Sequence, residues 1–138
     1  MEKRQLDLSA YRLEKARDEM ETAALMLANN KISQSINRSY YSMFHAVRAL
    51  LALDQFDSKK HTGIISYFNQ YYIKTKKIEP EFASMLTAAF KIRNESDYND
   101  FYIASRDDAY LQLENAKKFL IKIDEYIKAL LKKQKPSE

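Results

Sequence analysis

A chain of 138 residues with no cysteine, one glycine and two prolines is long enough to bury one core unaided. It lacks the thiols of a disulfide or thiolate-metal scaffold and the breakers of turn-rich β architectures. Its 23 basic and 19 acidic residues leave a net charge of +4, a mild excess that suits a polyanionic partner but reads first as a solvated rim and tail, since much of it sits in Lys74, Lys76, Lys77, Lys128, Lys132, Lys133 and Lys135. One glycine also excludes Walker loops and nucleophile elbows, and the charged N-terminus and short apolar runs predict a soluble cytoplasmic protein with no membrane span.

In chain order, the three- and four-residue spacing of Leu13, Ala16, Met20, Ala23, Ala24 and Leu27 predicts a first helix from about Leu8 to Ala28, with Arg12, Glu14, Arg17, Asp18 and Glu21 off its apolar stripe and Asn29-Asn30 ending it. A second helix from about Ser33 to Leu53 carries Ile36, Tyr40, Met43, Phe44, Val47, Leu50 and Leu51, with Ser33 as its cap. The short connection makes these two helices antiparallel neighbours. Beside the apolar stripe of the second helix, Asn37, Tyr41, His45 and Arg48 recur at the same steps and share a face, which suits either a cleft or a core edge with satisfied hydrogen bonds.

Asp54 to Lys59 reads as a loop, and Ile64, Ile65, Phe68, Tyr71 and Tyr72 mark a third helix of about Lys60 to Ile73 with Gly63 in its first turn. His61 stands at its start, either beside an anion held by backbone N–H groups and Lys60 or, more simply, as an exposed turn histidine. After a second loop, Pro80 suits the first position of a fourth helix bearing Phe82, Leu86, Ala89 and Phe90. Arg93 is the next position on that buried face, so a fixed positive charge points inward. Burying a guanidinium costs several kcal/mol, roughly, unless it is paired, which calls for Asp97, another chain or a phosphate.

Asn94 to Ala104 is polar, aromatic and irregular, although helix can persist through Tyr98. Ser105 and Asp108 resemble a capping box opening a long last helix, whose stripe is Tyr110, Leu113, Ala116, Leu120, Ile123, Ile127 and Leu130. The whole reads as an all-α antiparallel bundle of four to five helices: one domain over residues 1–131, then a charged, frayed or disordered tail over 132–138. Neither histidine has metal-ligand spacing, so no protein-bound metal or cofactor is expected.

Three segments, taken together and in order, resemble the HEPN superfamily and within it the UPF0332 branch: Asn37 to Leu51 (NRSYYSMFHAVRALL), Lys60-His61-Thr62-Gly63, and Arg93-Asn94-Glu95-Ser96-Asp97-Tyr98. The resemblance implies a helical bundle that forms a homodimer with the Arg93 regions meeting at the interface, often encoded beside a minimal nucleotidyltransferase in toxin–antitoxin or defence pairs. Catalytic relatives are metal-independent ribonucleases with an arginine, a polar residue and, four to six residues on, a histidine. Arg93 and Asn94 match the first part, whereas Tyr98, Asn99 and Asp100 stand where the histidine is sought. In some relatives the partner transferase modifies a tyrosine near this motif, for which Tyr98 is the nearest match.

The leading expectation is a homodimeric nucleotide- or RNA-binding module. Arg93 would contact phosphate, Asn94, Asp97 and Tyr98 would orient it, and Asn37, Tyr41 and His45 would line the same cleft. The alternatives are a toxin ribonuclease, with Arg93, Asp97 and Tyr98 as catalytic candidates and Asp97, His45 or His61 replacing the missing histidine, and a structural domain in which Arg93 only holds the dimer.

Overall fold

In the computed structural model, which describes residues 1–134, α1 (Lys3–Ala28) and α2 (Ile32–Ala52) form an antiparallel hairpin. Small residues let the two approach closely: the Ser35 hydroxyl donates to the Ala23 carbonyl and the Ser42 hydroxyl to the Ala16 carbonyl, both at 2.8 Å. The turn between them is a Schellman motif, with Asn30 left-handed at φ 61° and the Lys31 N–H returning 2.8 Å to the Met26 carbonyl. This turn delivers the chain directly into α2, so Lys31 rather than Ser33 occupies the cap position, and Ser33 lies inside the helix. At the other end, α1 begins five residues before the expected Leu8. The Gln5 side chain accepts the Glu2 N–H at 3.0 Å and donates 2.9 Å to the Leu53 carbonyl, tying the start of α1 to the end of α2.

α2 is the central element, packed against α1, α5, α4 and α3. Its stripe from Ile36 to Leu51 is buried as expected, together with Ser39, His45 and Ala46. α3 (His61–Phe68) stops short of the expected Ile73 and continues as a π-helical turn, Asn69–Ile73, in which the Lys74 N–H reaches back 2.9 Å to the Asn69 carbonyl. The wider turn swings Tyr72 inward to 3 % exposure and leaves Tyr71 outside at 45 %, where the helical period had placed both inside.

α4 (Pro80–Tyr98) remains helical through the whole Arg93 segment. α5 (Arg106–Gln134) opens on the expected box, the Ser105 hydroxyl accepting the Asp108 N–H at 3.0 Å and the Asp108 carboxylate accepting the Ser105 N–H at 3.3 Å. Its buried face runs through Ala109, Leu113, Ala116, Phe119, Leu120, Ile123 and Ile127; Tyr110, which the spacing placed on the stripe, is exposed. Lys132 and Lys133, expected in the frayed tail, continue α5, and residues 135–138 lie outside the described residues. Among the described residues no helix is long and apolar enough to cross a membrane.

Candidate functional site

Persistence of α4 past Asn94 sets the geometry, because it places Arg93 and Asp97 one turn apart while Phe82, Leu86 and Ala89 anchor the same face in the core. The Arg93 side chain is 13 % exposed. Its Nη2 donates 3.0 Å to the Tyr41 hydroxyl on α2 and its Nη1 donates 3.1 Å to the Asn94 side-chain oxygen. Nε lies 3.2 Å from Asp97 Oδ2, an ion-pair distance, yet the N–H is not aimed at that oxygen and Nε has no hydrogen-bond partner among the described residues. Of the anions offered at sequence level, Asp97 of the same helix is the one the structure shows, and it holds the charge by proximity rather than by a well-aligned bond.

Asp97 is itself shared. Asn37 Nδ2 donates 2.8 Å to the same Oδ2, and the Asn37 oxygen accepts from both Nε and Nη2 of Arg38. Arg38 Nη1 in turn pairs with Glu19 at 2.6 Å. A polar chain thus runs Glu19, Arg38, Asn37, Asp97, Arg93 and Tyr41 across α1, α2 and α4. The Arg93 guanidinium also lies 5.6 Å from the Tyr40 ring, 5.2 Å from Tyr41 and 5.6 Å from Tyr98, within cation–π range of all three. Tyr98 is 73 % exposed at the end of α4.

His45 does not join this cluster. It lies beside Tyr41, with ring centroids 5.9 Å apart, but is buried, and its Nδ1 has no partner among the described residues, so the core-edge alternative with satisfied hydrogen bonds fails on that atom. Burial, then the charges of Lys15, Arg48, Arg38 and Arg12, push its pKa down to about 4, so the ring is neutral at pH 7.

His61, by contrast, reaches the site. Its Nδ1 lies 2.7 Å from the Tyr40 hydroxyl, its ring stacks on Phe44 at 4.1 Å, and it meets Tyr41 edge-on at 5.7 Å. The exposed-turn expectation fails because docking α3 against α2 half-buries the ring. Burial, followed by the Arg93 and Arg48 charges, lowers its pKa. Burial likewise pushes the Tyr40 phenol up, outweighing the opposing pull of Arg93, so Tyr40 is a neutral hydrogen-bonding group beside a neutral imidazole.

A second ionic group was not read from the sequence. Arg12, placed off the α1 stripe by residue type, is buried at 9 % exposure; it donates 3.2 Å to the Arg48 carbonyl and 3.1 Å to Asp57 Oδ2. Arg48 Nη2 meets the same carboxylate oxygen at 2.9 Å. Burial acts to raise the Asp57 pKa, but hydrogen bonds from Arg48 and the Ser58 N–H, with the Arg48 and Arg12 charges, outweigh it and leave the pKa lowered. The signal was available: Ser9, Arg12, Leu13 and Ala16 share one helical face, and the others on it are apolar or small.

An all-helical bundle centred on a strip of α2, with an inward arginine near the end of α4, defines the class of protein. The chain belongs to the HEPN domain family, whose model matches residues 9–133. It is similar to a UPF0332 protein of Thermotoga maritima, 29 % identical over 120 residues that cover 87 % of this chain and 91 % of the relative. A UPF0332 protein of Archaeoglobus fulgidus is 31 % identical over 117 residues, covering 85 % of this chain and 93 % of that protein. A Methanocaldococcus jannaschii protein named "Putative toxin MJ0142" is 30 % identical over 115 residues, 83 % of this chain and 78 % of its own length.

Proposed function

We propose that this chain is a homodimeric nucleotide- or RNA-binding module, the partner of a minimal nucleotidyltransferase in a toxin–antitoxin or defence pair, with Arg93 contacting a phosphate. The observation that carries the reading is the state of the guanidinium. It is almost buried, its carboxylate is shared with Asn37, and among the described residues Nη1 and Nη2 each donate a single hydrogen bond, to the neutral oxygens of Asn94 and Tyr41. A phosphate oxygen supplies the strong acceptor that the protein does not. Asn94 and Asp97 orient the group, and Tyr41 and Tyr98 flank it. The toxin name of a relative supports the paired role. Titrating a fluorescent ATP analogue and a labelled single-stranded RNA against the wild type and Arg93→Ala tests the assignment: binding is lost in the variant while its helical circular-dichroism signal is kept. Unchanged binding contradicts it.

One observation favours ribonuclease chemistry as a second reading. His61 is a neutral imidazole held by Tyr40 near Arg93, whereas Asp97 is engaged by Arg93 and Asn37, and His45 lies apart. In this reading His61 accepts the proton of the 2′-hydroxyl as its oxygen bonds to phosphorus, the P–O5′ bond breaks with the 5′-oxygen taking a proton from the imidazolium or solvent, and Arg93 stabilises the charge on phosphate. RNA cleavage in EDTA, lost in both His61→Ala and Arg93→Ala, is the expected result; no cleavage by the wild type removes this reading.

A further inference from the structure

Two members of the polar chain, Glu19 on α1 and Arg38 on α2, make no hydrogen bond or ion pair with Arg93 or Asp97 among the described residues, yet each link between them and Arg93 is fixed by donor and acceptor type. The Glu19 side chain is 17 % exposed and accepts from Arg38 Nη1 at 2.6 Å. That bond sets the plane of the Arg38 guanidinium, whose Nε, at 2.9 Å, and Nη2 both donate to the Asn37 side-chain oxygen. An amide gripped by two donors at its oxygen turns its NH2 away from them. Here the NH2 turns to Asp97, giving the 2.8 Å bond to Oδ2, the same oxygen that faces Arg93 Nε. The opposite amide orientation would set NH2 against a guanidinium and oxygen against a carboxylate, so Arg38 decides which way Asn37 points. Arg38 also stands 5.1 Å from the centre of the Tyr41 ring, whose hydroxyl accepts from Arg93 Nη2.

The consequence lies in what Asp97 is kept from doing. A carboxylate one helical turn from an arginine, free to rotate, makes a side-on pair with Nε and a terminal nitrogen, which neutralises the charge and takes up a terminal N–H. Asn37 holds Oδ2 out of that alignment: the oxygen lies 3.2 Å from Nε without lying along its N–H. We propose that Glu19 and Arg38 are positioning residues for Arg93: by locking the Asn37 amide onto Asp97 they keep the aspartate from closing a bidentate pair on the arginine, and so keep its terminal N–H groups open to an anion. The lock stands on its own distances, and its consequence for binding rests on the reading of Arg93 as a phosphate contact. Charge alone does not supply the lock. A lysine at position 38 keeps the positive charge but has no planar fork to hold Glu19 and Asn37 together.

The test compares Glu19→Gln, Arg38→Lys and the double variant with Glu14→Gln, which makes the same change in the exposed Glu14–Arg17 pair of α1. The first readout is the Arg93 Nε–Hε resonance in ¹⁵N NMR of the ligand-free protein, identified by its loss in Arg93→Lys. It should move downfield in Glu19→Gln and in Arg38→Lys as Asp97 turns onto Nε, move no further in the double variant because both act through Asn37, and stay in place in Glu14→Gln. The second is titration of the fluorescent ATP analogue and the labelled single-stranded RNA, whose affinities should fall about fivefold in each of Glu19→Gln and Arg38→Lys. A resonance unmoved in both, additive shifts in the double variant, an equal shift in Glu14→Gln, or affinities equal to the wild type overturns the positioning role and leaves Arg93 as a phosphate contact. If Arg93→Ala leaves binding unchanged, or the wild type binds neither probe, the reading of Arg93 falls and the resonance alone decides the lock. Where Glu19→Gln loses its helical circular-dichroism signal, Arg38→Lys, which keeps the charge, decides it.

Discussion

At the scale of single residues, Arg93 and Asp97 form a pair whose members have unequal alternatives. Asp97 retains the Asn37 amide if the arginine is removed, whereas Arg93 loses the one carboxylate it meets among the described residues if the aspartate is neutralised. Asp97→Asn should therefore destabilise the fold by about 1–2 kcal/mol, less than a fully buried pair because both side chains reach solvent, and urea denaturation measures it. His45 gives a pH dependence. Its folded pKa of about 4 lies below the unfolded value of 6.5, so the unfolded chain binds the extra proton between them and stability falls as pH drops through that window. The lowered pKa of His61 acts in the same direction. The thermal midpoint should decline from pH 7 to pH 5, and His45→Phe should flatten much of that decline; a flat wild-type profile contradicts the burial argument. The inward direction of Arg93 was readable because four apolar residues precede it at helical spacing. Arg12 was misread because charge was allowed to outweigh spacing, and its partner Asp57 lies 45 residues on, beyond any local pattern.

At the scale of elements, the α2–α3 connection is the part most exposed to a small change. A Cβ added at Gly63 would stand 2.5 Å from the Ser58 hydroxyl and 3.0 Å from Ser58 Cβ, so the loop must move. Ser58 Oγ accepts the Lys60 N–H at 3.2 Å, and the Ser58 N–H binds Asp57, so that movement reaches the carboxylate holding Arg12 and Arg48. Gly63→Ala should cost about 1 kcal/mol despite the better helix propensity of alanine, and speed hydrogen exchange at the Ser58 and Lys60 amides. Protection equal to the wild type would show that the loop absorbs the methyl group locally. Helices were legible here because their period is strong and breakers are few. Their ends were less so. The start of α1 depends on a glutamine reaching a carbonyl of another helix, the start of α2 on a left-handed asparagine, and the inward swing of Tyr72 on a π-helical turn that no local spacing announces.

At the scale of the whole molecule, the Arg93 site opens beside an apolar rim: Tyr98, Phe101 and Ile103 are 73 %, 95 % and 90 % exposed on the end of α4 and the segment that follows. A rim of this kind is costly to leave in water and suits a second copy of the chain. Light scattering should give a dimer mass for the wild type and a monomer for Phe101→Asp combined with Ile103→Asp; an unchanged mass removes this rim from the interface. The all-α bundle followed from composition and periodicity, whereas the proximity of His61 to Arg93 required the packing of α3 on α2, which a single sequence does not display. The proposed contact of Arg93 with a phosphate is made through its terminal nitrogens, and the Nε–Hε group of the same guanidinium, buried beside Asp97, is its reporter. In ¹⁵N NMR of arginine-labelled protein, the Arg93 Nε–Hε resonance, assigned by its loss in Arg93→Lys, should shift downfield on adding single-stranded RNA and return on its removal. Saturating RNA that perturbs other resonances and leaves this one in place would contradict the account.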